Sequence, residues 1–341
     1  MDNITTIGID LAKNVFQCHG VDKNGHQLFS KRLTRTKLVT FIAKISPCTI
    51  AMEACAGSNY WGRKFRSYGH DVKLIAPQFV KPFVKSNKND ARDAEAICEA
   101  ATRPSMRFVP IKEIEHQDMK MLHRMRSQIV KQRTALSNQI RGFLAEYGVI
   151  LPKGLTYVRK RLANIIEDNH NELSSKARAL FNELLADFHQ LDSRVKSYDD
   201  KVTQEVSQNE VCKRLMKVEG IGPLTATAFW ATITQPELFK NGRGVSAMLG
   251  LVPKQRSSGN RTLLLGISKR GDRYLRTLLI HGGRTVVKSS ASSHSPTARQ
   301  RWVNDKANHC GVNKTAVAIG NKNARILWAL LHNKEDYRAN V

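Results

Sequence analysis

Near residue 110 the hydrophobic pattern of the sequence changes period, which divides the chain between two kinds of architecture. Before that point apolar residues come in short runs: Thr6-Ile7-Gly8-Ile9-Asp10, Cys48-Thr49-Ile50-Ala51-Met52, and Val72-Lys73-Leu74-Ile75-Ala76 closed by Pro77. Runs of this length bounded by turn residues read as buried strands. Val15 to Val21 and Gln27 to Leu33 alternate across Asp22-Lys23-Asn24-Gly25, a hairpin signal. Lys37 to Ile45 and Tyr60 to Tyr68 read as helices between the strands. Strands alternating with helices predict an α/β sheet with its functional groups at the strand ends.

Beyond that point the period is helical. Met119, Leu122, Met125, Ile129, Leu136, Ile140 and Phe143 recur at spacings of three, four and seven, as do Leu180, Leu184, Leu191, Val195, Tyr198 and Val202. Both stripes have coiled-coil spacing, and Pro152-Lys153-Gly154 separates them. The pattern suits an antiparallel helical hairpin, a dimerising arm, or two long helices packed on the chain's own body. From about Val211 the sequence becomes compact and glycine-punctuated, with a polar, loop-rich start to the segment from Lys288 to Asn313 and an apolar last helix near Ala324 to Leu331. The fold class is therefore α/β plus α, in three parts: an α/β domain over 1–110, a helical arm over 111–210 and a mainly helical domain over 211–341.

Charge names the class of partner. Lysine and arginine number 55 against 29 acidic residues, a net +26, in a chain whose 41% hydrophobic content is ordinary for a globular protein. A chain this basic repels itself unless a polyanion neutralises it, so nucleic acid comes first and an anionic membrane surface second. No run of apolar residues is long enough to span a bilayer. The N-terminus has no basic and apolar leader, and the six cysteines are scattered without a CxxC pair. Together these predict a cytoplasmic protein with neither a disulfide framework nor a zinc site.

Four acids stand out against that background. Asp10 and Glu53 each end a predicted buried strand, and Asp90 and Asp93, at i and i+3, share one face of a strong helix former, Lys88-Asn89-Asp90-Ala91-Arg92-Asp93-Ala94-Glu95. Singly, each reads as a turn or helix cap. Together they are the oxygen donors that Mg²⁺-assisted phosphodiester chemistry requires. Later, Glu219-Gly220-Ile221-Gly222-Pro223 between two helical stretches fits a helix-hairpin-helix, in which Gly220 and Gly222 open a helix N-terminus to a DNA phosphate. An ordinary αα-corner is the other reading. Lys254-Gln255-Arg256-Ser257-Ser258-Gly259 sets a serine in a basic loop, where cations favour an attacking alkoxide. Lys269, Arg270, Arg273 and Arg276 have the composition of a phosphate clamp, or of a solvated basic face.

The ordered set carries a resemblance. Gly8-Ile9-Asp10-Leu11-Ala12-Lys13-Asn14, Met52-Glu53-Ala54, Lys88 to Ala94, Gly220-Ile221-Gly222-Pro223, Gly250-Leu251-Val252-Pro253, Ser258-Gly259 and Ser268-Lys269-Arg270-Gly271 resemble, over nearly the whole chain, the insertion-sequence "one-ten" transposases, the Piv-type or bridge-RNA-guided DNA recombinases. The segment from Leu251 to Asp272 is similar to the "eleven-eleven" subgroup. The resemblance implies a RuvC-like, RNase H-type N-terminal domain, a coiled-coil middle and a C-terminal transposase domain. It carries a D-E-D-D tetrad onto Asp10, Glu53, Asp90 and Asp93 and a catalytic serine onto Ser258, beside Ser257. It further implies recombination through a serine–DNA phosphodiester, a structured guide RNA, Mg²⁺, and a dimer or tetramer acting on donor and target DNA. A RuvC-like metal-dependent nuclease and a non-catalytic DNA- or RNA-binding architectural protein are the alternatives.

Overall fold

The structure is a computed structural model that describes residues 3–84, 90–259 and 261–338; Lys88 and Asn89 of the acid-bearing motif lie outside the described residues. The chain forms two compact units, Met1–Glu115 and His116–Val341.

In the first unit three strands, β1 (Thr6–Asp10), β2 (Val15–Val21) and β3 (Gln27–Thr34), make an antiparallel meander. Helix α1 (Arg35–Ala43) then returns the chain so that β4 (Thr49–Glu53) pairs parallel to β1. Helix α2 (Ser58–Arg66) does the same for β5 (Asp71–Ile75), parallel to β4. The short α3 (Pro77–Val80) and α4 (Asp90–Ala101) follow, and β6 (Phe108–Val109) closes the edge antiparallel to β5. The sheet order is β3-β2-β1-β4-β5-β6.

Strand alternation explains the two layers. Ile7 and Ile9 of β1 and Ile50 and Met52 of β4 face α1 and α2, in a core with Leu38, Ile42, Trp61 and Phe65. The intervening residues face the other side, where Ala51 packs with Ala96, Ile97 and Ala100 of α4. Gly8 and Asp10 share that second side with Ala51 and Glu53, because successive side chains alternate across a strand.

The second unit is mostly helical. It opens with α5 (Ile114–Ala145), followed by α6 (Leu155–Glu167) and α7 (Ser175–Gln208). Arg126 pairs with Asp199 at 2.5 Å and Arg133 with Asp192 at 2.6 Å, so position falls along α5 as it rises along α7 and the two helices run antiparallel. A shared core joins Ile140 and Leu144 of α5, Phe181 and Phe188 of α7, and Val158, Leu162 and Ile166 of α6, whereas Met125, Phe143 and Leu180 of the expected stripes are exposed. Helix α6 lies where the sequence showed only a break, and its own stripe fills the space between the long pair.

Helices α8 (Glu210–Met216), α9 (Pro223–Thr232) and α10 (Gly242–Met248) lead into a two-stranded hairpin, β7 (Pro253–Ser258) and β8 (Arg261–Ile267). Three helices finish the chain: α11 (Arg273–Ala291), α12 (Ala298–Cys310) and α13 (Val312–Asn333). The core here joins Leu215, Phe229, Val245, Leu275, Leu279 and Leu327 from five helices. The segment from Lys288 to Asn313, expected to be loop-rich at its start, is non-helical over 292–297 and at Gly311, and a capping box between Thr297 and Gln300 starts α12. No helix among the described residues is long and apolar enough to cross a membrane.

Candidate active site

The parallel register Ile9↔Met52 sets the next residues, Asp10 and Glu53, side by side at the C-terminal ends of adjacent strands. Helix α4 crosses β1 on that same side of the sheet. It approaches so closely that a Cβ at Gly8 would collide with the Ala94 carbonyl oxygen and lie 2.7 Å from the Cys98 nitrogen. Glycine at position 8 is what admits the helix backbone. The approach delivers the first turn of α4 to the strand end, and carboxylate oxygens of Asp10, Asp90 and Asp93 lie within 4.8 Å of one another. Asp90 is exposed and the other two half-buried. Glu53 lies outside this tight group, on the neighbouring strand end.

Several features favour the clustered negative charge. Asp90 and Asp93 sit in the first turn of α4, where the helix dipole is positive. Nearby, burial first and then the charges of Glu53 and Asp10 hold the Cys55 thiol above its ordinary value, so Cys55 stays protonated beside both acids. The donors are therefore hard carboxylate oxygens, the set that suits Mg²⁺ rather than Zn²⁺. Two oxygens on one Mg²⁺ stand at most about 4.2 Å apart. The group lies within 4.8 Å, so at most a small inward rotation of partly exposed side chains meets that requirement.

The serine pair belongs to the second unit, at the tip of the β7–β8 hairpin. Ser258 pairs with Arg261 and Arg256 with Leu263, so Arg256, Ser258 and Arg261 share one face of the ribbon. Ser257 is on the opposite face, its Oγ accepting a 2.7 Å hydrogen bond from Gln255 Nε2. The two serines, indistinguishable in sequence, thus differ in company: Ser258 has cations on its side, Ser257 has an amide. Every residue of β7 is exposed. Sequence reasoning passed over Arg261; the two residues between Ser258 and Arg261, Gly259-Asn260, are a hairpin signal that would have placed it across from the serine.

At the foot of the hairpin, Lys269, Arg270 and Arg273 are exposed. Arg276, expected with them on a phosphate-binding face, is turned inward. It is 7% exposed, and its Nη1 donates to the carbonyls of Leu249 and Arg270, each at 2.9 Å. Its guanidinium ties the hairpin's foot to the end of α10 by giving both carbonyls a donor. Gly220 and Gly222 connect α8 to α9 in a helix–turn–helix. Gly220 (φ 80°) is pressed against α11, where a Cβ would lie 2.7 Å from the Gly282 oxygen. Gly222 is exposed and caps α9, with open space where a Cβ would stand.

Comparison with known proteins defines the class first. Residues 7–149 match a DEDD family model described as "Transposase", and residues 212–301 match the model described as "Transposase IS116/IS110/IS902 family". The chain is a transposase. It is 46% identical to the "Probable family 20 transposase" of Pseudomonas aeruginosa, covering 98% of this chain and 99% of that one. It is 41% identical to the "Transposase for insertion sequence element IS1111A" of Coxiella burnetii (99% and 92%). With the "Transposase for insertion sequence element IS1328" of Yersinia enterocolitica it shares 40% identity (97% of each). The chain belongs to the IS110 family of insertion-sequence transposases.

Proposed function

We propose that this transposase cuts and rejoins DNA through a covalent serine intermediate, with Ser258 as nucleophile and Asp10, Glu53, Asp90 and Asp93 as Mg²⁺ ligands. The observation that carries the reading is the convergence of Asp10, Asp90 and Asp93 at the end of β1 on a chain of net charge +26. A meander followed by parallel strands, with acids at the strand ends and on a crossing helix, supports a RuvC-like, RNase H-type domain for the first unit.

The chemistry balances without ATP. Ser258 Oγ bonds to a DNA phosphorus, the bond from phosphorus to the 3′ oxygen breaks, and the serine proton passes to that oxygen. A 3′-hydroxyl of the partner strand then attacks the phosphoserine, which frees Ser258 with its proton restored. Arg256 and Arg261, on the serine's face, stabilise the charge that develops on the phosphate. Lys269, Arg270 and Arg273 hold the neighbouring backbone, and the turn at Gly222 presents the start of α9 to a further phosphate. Mg²⁺ on the carboxylates, when bound, supplies charge stabilisation at the phosphoryl and departing oxygens. Arg276 has no part in this, being engaged by two carbonyls. The family resemblance and the charge excess support a structured guide RNA, a homo-oligomer assembled on donor and target DNA, and action in the cytoplasm.

The test is denaturing electrophoresis of the protein incubated with element-end DNA and Mg²⁺. Ser258→Ala abolishes the covalent protein–DNA band, and Ser257→Ala retains it. Strand cleavage at full rate by Ser258→Ala would replace this reading with that of a hydrolytic nuclease. For the RNA, a defined transcript copurifies and its alteration redirects the target; an unchanged target removes that part.

A further inference from the structure

Behind the serine hairpin, α10, α12 and α13 enclose an open cavity of about 890 Å³ that none of the chemistry above uses. Pro253 and Ile267, the first and last residues of the hairpin, form part of its wall. Five cations line it: Arg243, Lys306, Lys314, Lys322 and Arg325. No carboxylate does so among the described residues. Four of the five are exposed, Lys306 being half-buried. A cavity that collects only cations gains little for folding, since the charges repel and no carboxylate among the described residues lines it to offset them. Solvent and counterions screen such charges, and a polyanionic ligand that displaces the counterions is favoured there.

The second component is aromatic. Trp302 lines the same cavity half-buried, with its inner edge against the cluster of Val286, Val287, Val303 and Ile319. The Lys322 ammonium lies 4.6 Å from the ring centroid, so one face of the indole is turned to the cationic space rather than to the core. An indole face among cations is the composition of sites for unpaired nucleotides. The ring takes a base of any identity, and the cations take the flanking phosphates. A base stacked there displaces the Lys322 ammonium toward the neighbouring phosphate. A duplex has no base face to offer.

We propose that this cavity holds an unpaired nucleotide of the DNA strand delivered to Ser258, the base on Trp302 and the flanking phosphates on Lys314, Lys322 and Arg325. Along β7, from Pro253 at the cavity to Ser258 at the tip, five steps of about 3.3 Å span roughly 17 Å. At about 3.4 Å per nucleotide in a stacked strand, that separates the held base from the attacked phosphate by about five nucleotides. The nucleotide-binding part stands on the cavity; only the link to catalysis rests on Ser258 as nucleophile.

Binding is measured in the Ser258→Ala protein, by anisotropy, with short labelled oligonucleotides of one sequence as single-stranded DNA, duplex DNA and single-stranded RNA. Trp302→Leu keeps the apolar filling and removes the stacking face, and it weakens single-stranded DNA binding about tenfold while duplex binding is unchanged. Lys314→Ala with Arg325→Ala, both at exposed positions, makes the salt dependence of single-strand binding shallower by about 1.4 in log–log slope. Equal single-strand affinity of Trp302→Leu and its parent overturns the proposal. So does a loss that extends equally to duplex, or one confined to RNA. If Ser258 fails to form an adduct while these binding differences hold, the cavity stands and the serine reading falls.

Discussion

Replacing Gly8 by alanine tests how the carboxylates are brought together. The added methyl would stand 2.7 Å from the Cys98 nitrogen and 2.8 Å from the Cys98 Cβ, and closer still to the Ala94 carbonyl oxygen. Non-bonded carbon contacts are comfortable at 3.5–4.0 Å, so α4 must lift from β1 by about 1 Å. Backbone atoms supply two of the three contacts, so a rotamer change offers no relief. Overpacking of this kind costs about 2 kcal/mol, which lowers a melting transition of a domain this size by roughly 8 °C. The same lift widens the group of Asp10, Asp90 and Asp93 beyond its 4.8 Å, and a displacement of about 1 Å costs on the order of a hundredfold in rate. Differential scanning fluorimetry with and without Mg²⁺ reads both consequences. Gly8→Ala melts lower and loses the Mg²⁺-induced rise shown by the parent. A variant that melts within about a degree of its parent and keeps that rise would falsify the reasoning, because the close approach of α4 would then not be what assembles the acids.

Two other perturbations separate structural from functional roles in the second unit. Arg276→Met leaves the carbonyls of Leu249 and Arg270 without their buried donor and destabilises the protein by about 2–3 kcal/mol. The salt dependence of its DNA binding stays as in the parent, whereas a phosphate-binding arginine would reduce the slope by about one. His123 is buried between Tyr274 and Thr227, each 3.0 Å away. Burial, then the nearby Arg126, bring its pKa down to about 4, with Asp272 opposing them and Lys120 adding to them. The unfolded state, with an ordinary histidine near 6.5, takes up the proton first as pH falls. Stability is therefore full above pH 6.5 and declines toward pH 4, by an amount on the order of 3 kcal/mol, and His123→Gln flattens that decline in a series of melts across the range.

The layered α/β sheet and the helical remainder were legible because their signals are local. A five-residue apolar run ending in an acid needs no knowledge of the rest of the chain to be read as a strand with a carboxylate at its tip. The i, i+3 spacing of Asp90 and Asp93 likewise places both in the first turn of α4. What brings Asp10 to them is not local. It depends on α4 crossing β1 above a glycine 82 residues before the helix begins, and nothing around Gly8 in sequence announces that role. Arg276 escaped for the same reason, since an arginine is buried only where carbonyls await it. The β7–β8 hairpin escaped for a different one. Neither of its faces packs on a core, so Leu263-Leu264-Leu265 and its serines carry no period-2 pattern, and beyond the foot cross-strand pairing holds it.

The distribution of acids completes the argument from charge. In the second unit Asp192 and Asp199 are bound to Arg133, Arg159 and Arg126, where they fasten α7 to α5 and α6. Asp272 caps α11 through the Leu275 amide. Asp192 and Asp199 thus sit opposite named cations and Asp272 on a helix end, and they leave the cavity behind the hairpin and the serine's own face positive. The group at the end of β1 adds a second arrangement. Three carboxylates face one another there, gathered by a backbone contact that exists only because residue 8 has no side chain. A bound cation would offset the repulsion among them. If that account is right, Asp93→Asn raises the melting temperature measured without metal, by relieving repulsion, and abolishes its rise on adding Mg²⁺. A variant that is merely less stable in both conditions would mark Asp93 as an ordinary first-turn acid.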